Sequence, residues 1–244
     1  GKKELPKEIQ RVLHKEYEEI EQADCDYDIF FITNPTVYHL ETIKKAMIHT
    51  RHMFIEKPVF RFPLCGEQEL EESLQPQKGN IYYVACPLRY SECFAYMKKI
   101  VEKKKIYSVR CISTSYLPDW RKGTDYRECY SADAEKGGGV TLDLIHELDY
   151  LTDLFGMPDK SIHVKGRVSD LEINSDDISL YILQYKGKFI ELHLDYFGRE
   201  SKRQMELFCE DCVITCDFIN SQIQYAYPDR TEKILVDKSD IYIK

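Results

Sequence analysis

The sequence predicts an α/β fold in two parts, a short parallel sheet followed by a larger, mostly antiparallel one. Three observations carry this reading. The apolar run YDIFFIT (residues 27–33) is followed by a helical stretch and a second run, HMFIEK, at a spacing that suits a βαβ unit and hence parallel strands. Beyond Pro87 the pattern changes to helix, strand and helix, and then to a series of alternating segments. The 244 residues, 43% of them hydrophobic, suffice for the cores of two modest domains, with the boundary placed near residue 88 (1–88 and 89–244).

Each element has its own justification. Residues 27–33 form an unbroken apolar run, so the strand is expected to be covered on both faces. In the following helix Val37, Leu40, Ile43 and Met47 share one side, and GNIYYVACP (79–87) adds a third strand. ECFAYMKKIVEKKK sets Phe94, Met97, Ile100 and Val101 on one stripe and lysines elsewhere, the mark of an amphipathic helix. Strands are read at IYSVRCISTSY, SIHVKGRVSD, DISLYILQY, KFIELHLDYF, RQMELFCE, VITCDF and QIQYAY, with YKGK as a hairpin turn. KFIELHLDYF places Ile190, Leu192, Leu194 and Tyr196 on one side and Phe189, Glu191, His193 and Asp195 on the other. That mixed second face suits a symmetric contact in a homo-dimer or homo-tetramer. EQELEESLQPQKG and the charged start read as loop or exposed helix, and there is no internal repeat.

Composition excludes some functions. A net charge of −8 offers no basic face for nucleic acid or an anionic membrane. No apolar run approaches the roughly 20 residues that span a bilayer, and no signal peptide opens the chain, so a cytoplasmic location is the default. The nine cysteines are odd in number and scattered (25, 65, 86, 93, 111, 129, 209, 212 and 216), which suggests reduced thiols. CEDCVITC could pass for part of a zinc site, but without a second Cys/His pair it reads better as strand, turn at Glu210-Asp211, and strand; no metal site is expected.

Two stretches carry chemistry. FIEKPVF (54–60) sets Lys57 between Glu56 and Pro58 at the end of an apolar run, where an ammonium needs partners. EKGGGVTLDLIHELDYLTDLFG (135–156) has three glycines that permit an unusual backbone path or close approach to a ligand, then a helix. At 100° per residue Leu144, Leu148, Leu151 and Phe155 form an apolar stripe, and Asp143, His146, Tyr150 and Asp153 gather opposite. That polar side is either the wet face of a surface helix or, given the glycines, the wall of a small-molecule pocket.

NPTVYH (34–39), Glu56-Lys57-Pro58 and GGGVTLDLIHELDYLTDLFG, in this order and spacing, resemble the Gfo/Idh/MocA family of NAD(P)-dependent sugar and polyol oxidoreductases. The resemblance implies a Rossmann-type domain, here residues 1–88 as a partial one, and a substrate-binding and oligomerisation domain over 89–244. It implies that Lys57 hydrogen-bonds the reacting hydroxyl, that His146 is the general acid/base with Asp143 tuning it, and that the Lys57-Pro58 bond is cis. Asn34, Pro35, His39, Glu56 and Lys57 would line an NAD or NADP site. CPLRY and DWRKGTDYRECY would flank the substrate, making Arg89, Trp120, Arg121, Tyr126 and Arg127 candidate contacts, although Arg89 could pair with an acidic surface residue and Trp120 could be core. WRKGTDYR with DLIHELDY is similar to members associated with surface-polysaccharide and nucleotide-sugar metabolism, so a sugar-derived substrate is expected.

The sequence departs from the family pattern in three places. Asp143 and His146 are three residues apart, where many members have four; Asn34 stands where threonine is usual; and G-x-G-x-x-G does not occur. The chain therefore resembles the middle of a member, beginning after the phosphate loop and stopping at DIYIK before the closing helices. A polypeptide of these residues alone is expected to bind NAD(H) or NADP(H) only weakly, because the backbone N–H groups that hold the pyrophosphate would be missing. Two functions follow: hydride transfer between NAD(P) and a sugar-type substrate or, alternatively, a non-catalytic member or fragment keeping a sheet domain for ligand binding or oligomerisation.

Overall fold

The protein is described by a computed structural model covering residues 7–23, 26–61 and 74–238. Cys25, Cys65, most of the polar stretch EQELEESLQPQKG and the closing DIYIK lie outside the described residues. After a short helix α1 (Lys7–Val12), strands β1 (Tyr27–Ile32), β2 (Thr50–Ile55) and β3 (Ile81–Val84) pair in parallel in the order β1-β2-β3. Helix α2 (His39–Ala46) connects the first two. Its Ile43 and Ala46 pack with Met47 against Phe30, Ile32, Met53, Ile55 and Tyr82, a small core on one face of this sheet.

The other face departs from the expected double coverage. Among the described residues Ile29 and Phe31 are 51% and 62% exposed, and Ile81 beside them is exposed too. Phe31, Phe54 and Tyr83, adjacent in register, run across this face as a ladder of tilted rings with centroids 5.4 and 5.6 Å apart. An apolar run without alternation shows that both sides of a strand are hydrophobic; it does not show that both are covered.

Helix α3 (Glu92–Val101) is N-capped by Ser91, whose Oγ accepts from the Phe94 amide, and buries Phe94, Met97 and Ile100. A second sheet follows, in the order β11-β10-β9-β8-β4-β7-β6-β5 among the described residues. Its strands are β4 (Ile106–Tyr116), β5 (Lys160–Gly166), β6 (Ile178–Tyr185), β7 (Lys188–Asp195), β8 (Phe197–Cys209), β9 (Val213–Asp217), β10 (Gln222–Ala226) and β11 (Thr231–Leu235). β4 pairs in parallel with β7; the other pairings are antiparallel. β6 and β7 meet in the expected tight hairpin, Tyr185 opposite Lys188 and Gly187 at φ +81°. Cys209 and Cys212 close the β8–β9 turn through a backbone hydrogen bond, so this cluster is a hairpin. β11 went unread in the sequence.

The inner face of this sheet is the main core. Ile190, Leu192, Leu194 and Tyr196 are buried as one stripe and meet Val109, Cys111, Met205, Leu207, Ile214 and Ile223 from neighbouring strands. Leu144 and Leu151 cover it from the helical layer. That layer is two helices, not the expected single one: α4 (Val140–Asp143) stops, Leu144 turns out of helical geometry (φ −99°, ψ 30°), and α5 (His146–Phe155) starts afresh. Within α5 the buried face is centred on Glu147, Tyr150 and Leu151, which corrects the helical projection. Tyr150, expected on the polar side, is fully buried and stacks on Phe218 with centroids 5.2 Å apart.

Candidate active site

The Glu56-Lys57-Pro58 stretch leaves the C-terminal end of β2, and Asn34-Pro35 leaves that of β1, the edge at which open α/β sheets bind ligands. The Lys57-Pro58 bond is cis. Lys57 Nζ donates to the carbonyl oxygen of Asp143 at 2.9 Å, which pins the ammonium to the end of α4. Two further contacts join the same parts of the molecule. Arg61 donates to the Glu135 carbonyl at 2.7 Å, and the Thr36 side chain stands where a Cβ on Gly137 would be 3.2 Å away.

The three glycines serve the chain's own packing, not an open cradle. A Cβ on Gly138 would sit 2.1 Å from the Tyr130 carbonyl and 2.6 Å from that of Ser131. Gly139, at φ +115°, lies so close to Asp176 that a Cβ would be 2.6 Å from Oδ1. Asp176 in turn caps α4: its Oδ2 accepts from the Thr141 amide and hydroxyl at 3.0 and 2.7 Å.

Asp143 is buried, and both carboxylate oxygens are engaged. Tyr130 Oη donates to Oδ1 at 2.7 Å and Tyr196 Oη to Oδ2 at 2.5 Å. Burial, and then the Asp143 charge, push both phenols above their ordinary range, so they remain protonated donors. No hydrogen bond joins Asp143 to His146; the two are linked through the backbone.

Neither ring nitrogen of His146 is bonded among the described residues. Nδ1 is sealed from solvent, leaving Nε2 as the nitrogen a ligand can reach. Burial first, and then the positive charges of Lys57 and Arg203, lower the ring's pKa from 6.5 to about 3, so it is neutral at physiological pH. Behind it Glu147 is fully buried, with Oε1 accepting from Arg203 Nε at 2.7 Å and Oε2 unpartnered.

The remaining candidates divide. His39 is buried, with Nε2 2.8 Å from the Asn34 carbonyl and Nδ1 3.0 Å from that of Pro58, so its ring sits between the two loops at the strand ends and its N–H donates to one of the two carbonyls. Asn34 donates to Thr42 Oγ1, and its Oδ1 is a buried acceptor without a partner; Glu56 Oε2 accepts from the Lys57 amide. Arg89 grips Asp149 through two nitrogens at 2.6 and 2.8 Å and reaches Asp153 at 3.0 Å, the internal pairing weighed for it from sequence. Arg127 does the same with Asp125 and Glu172, and Tyr126 Oη accepts from the Glu172 amide. Trp120 is 37% exposed; it donates to Ser115 Oγ and meets Tyr196 edge-on at 5.3 Å. Arg121 lies over the Tyr130 ring.

Tyr130, Tyr196 and the Glu147–Arg203 pair escaped sequence reading as site residues. Tyr196 had a signal, as the polar-tipped end of an otherwise aliphatic stripe; Arg203, 56 residues from Glu147, had none.

Comparison with known proteins accords with this architecture. The profile described as the GFO/IDH/MocA C-terminal domain matches residues 94–215, half of the chain. The chain belongs to the GFO/IDH/MocA family. A Bacillus subtilis (strain 168) relative, described as the uncharacterized oxidoreductase YrbE, is 29% identical over 169 residues, 67% of this chain and 47% of its own. The chain thus spans about half the length of that curated relative. Among solved structures, UDP-N-acetylglucosamine 3-dehydrogenase GnnA from Acidithiobacillus ferrooxidans superposes with a TM-score of 0.72 at 19% identity, over 96% of this chain and 71% of its own. Levoglucosan dehydrogenase in complex with NADH and L-sorbose gives 0.75 at 17%, over 93% and 66%. At these identities the two structures share the fold.

Proposed function

We propose that this chain forms the reacting centre of a nicotinamide-dependent oxidoreductase that oxidises or reduces a hydroxyl or carbonyl carbon of a sugar-type substrate. The observation that carries the reading is Lys57, fixed to the Asp143 carbonyl within the field of a neutral, unpartnered His146. The named structural neighbours, one a UDP-sugar dehydrogenase and one bound to NADH and a sugar, support the substrate class and the cofactor.

Asn34, Pro35, Glu56 and Lys57, at the ends of β1 and β2, would hold the nicotinamide end, and the orphaned Asn34 Oδ1 suits an amide donor there. Whether NAD or NADP is preferred depends on residues around the ribose. When bound, the nicotinamide supplies the hydride acceptor or donor. The chain's own residues handle the proton and the charge. His146, neutral, accepts the hydroxyl proton. Lys57 places fixed positive charge where alkoxide develops. Because the ammonium is one cause of the low His146 pKa, negative charge arriving on the reacting oxygen relieves that depression and lets the ring hold the proton. Asp143, gripped by two phenols, fixes the segment that carries both groups. His39, lying between the carbonyls of Asn34 and Pro58, donates its ring N–H to one of them and packs the two cofactor loops together. The open, mixed face of β7, with Phe189 and His193 exposed and half-exposed, is proposed as a contact between subunits.

The test is Lys57→Ala in the full encoded protein. NAD(H) or NADP(H) binding followed by nucleotide fluorescence should persist, while turnover falls by about 100-fold or more, the size of losing one oxyanion donor. Unchanged kcat would overturn the assignment. His146→Ala should flatten the pH–rate profile.

A further inference from the structure

Of the three arginines expected from the sequence to contact substrate, two are already neutralised. Arg89 is held by Asp149 and Asp153, and Arg127 by Asp125 and Glu172, each with at least one contact of 2.6 Å. Arg121 differs. No carboxylate stands within ion-pair distance of it among the described residues, and its guanidinium carbon lies 5.4 Å from the centroid of the Tyr130 ring. An aromatic ring at this distance attracts the guanidinium without neutralising its charge, and the N–H donors of Arg121 are not taken up by a carboxylate.

An exposed, unpaired arginine says little by itself; its position says more. Tyr130, beneath Arg121, donates to Asp143 Oδ1 at 2.7 Å, and the Asp143 carbonyl holds Lys57 Nζ at 2.9 Å. Next in the chain, Trp120 is fixed by its bond to Ser115 and lies against Tyr196, which donates to the other oxygen of Asp143. The Trp120-Arg121 pair therefore rests on the two phenols that bracket Asp143, whose carbonyl holds Lys57. Among the three charges joined by these contacts two are positive, Lys57 and Arg121, and one, Asp143, is negative.

We infer that Arg121 is an oxyanion subsite, binding a carboxylate or phosphate carried by the sugar-type substrate while Trp120 offers its ring to the sugar's apolar face. This rests on the reading of Lys57 and His146 as the reacting centre. A planar fork bonds such a group through two parallel N–H donors, which a neutral hydroxyl cannot match.

Calorimetric titration of the full encoded protein, with and without NADH, tests it using three probes at one ionic strength: D-glucose, D-glucuronate and D-glucose 6-phosphate. At least one anionic sugar should bind roughly tenfold or more tightly than glucose, as expected for hydrogen bonds to a charged group. Preference for glucuronate would identify a carboxylate, preference for glucose 6-phosphate a phosphate ester. Arg121→Gln should remove the preference while leaving glucose and NADH binding unchanged, and Arg121→Lys, which keeps the charge but not the fork, should retain a part of it. If neither anionic sugar outbinds glucose, or if Arg121→Gln keeps the preference, the assignment is overturned. Loss of NADH binding with the anion preference intact would count against the oxidoreductase reading and leave Arg121 as an anion site.

Discussion

The two sheets bury their apolar residues differently. In the large sheet one face is closed: Ile190, Leu192, Leu194 and Tyr196 are sealed by neighbouring strands and by α5. In the small sheet α2 closes one face over Ile32, Met53 and Ile55, while Ile29, Phe31 and Ile81 line a second that is open among the described residues. The candidate site joins them, because Lys57 comes from the small sheet and Asp143 and His146 from the helices on the large one. The more enclosed sheet thus presents His146, and the less enclosed one presents Lys57.

This contrast can be broken by measurement. The largest effect is expected in the large sheet, where Arg203→Leu leaves fully buried Glu147 without its cation; breaking a buried pair this way costs about 3–5 kcal/mol, to be read from urea unfolding. Met53→Ala, in the closed face of the small sheet, should cost about 2–4 kcal/mol, with hydrogen exchange lost first from β1 to β3. A global effect equal in every strand would show the sheets to be one cooperative unit.

An effect that is small near neutrality concerns pH. His146 has its pKa lowered from 6.5 to about 3, so between these values the unfolded chain binds a proton that the folded one refuses. Stability therefore falls as the pH drops from about 6.5 toward 3, by up to about 1.4 kcal/mol per pH unit from this group. His146→Asn should remove that share of the slope; an unchanged slope would mean the ring is more open than its position suggests. The smallest effect is expected at Phe31→Ser on the open face, within about 0.5 kcal/mol. A cost above about 2 kcal/mol would show that this face is covered in solution.

Legibility in the sequence followed the periodicity. β4 spans Ile106–Tyr116, the segment read as IYSVRCISTSY, and the inner stripe of β7 is buried as alternation required. Parallel strands without alternation could not say which face was covered. The break at Leu144-Ile145 left no glycine or proline to betray it, and within α5 the buried face is centred on Glu147, Tyr150 and Leu151, a face that the leucine stripe alone did not reveal. The arginines needed three dimensions: Arg89 finds Asp149 60 residues away, and only that pairing sets it apart from Arg121.

The place of β4 has a kinetic meaning. It precedes the other strands of the large sheet in the chain, yet lies between β8 and β7, with arms β5-β6-β7 and β8-β9-β10-β11 on its two sides. Each arm can zip from local hairpins, but each docks on β4 through partners far away in sequence, such as Val109 with Ile190 and with Leu207. Such high contact order makes the central strand the slow step. During synthesis an eleven-residue strand with buried Val109 and Cys111 must wait, unpaired at both edges, until β7 and then β8 emerge. Of all its segments, β4 is the one that a chaperone would have most reason to hold.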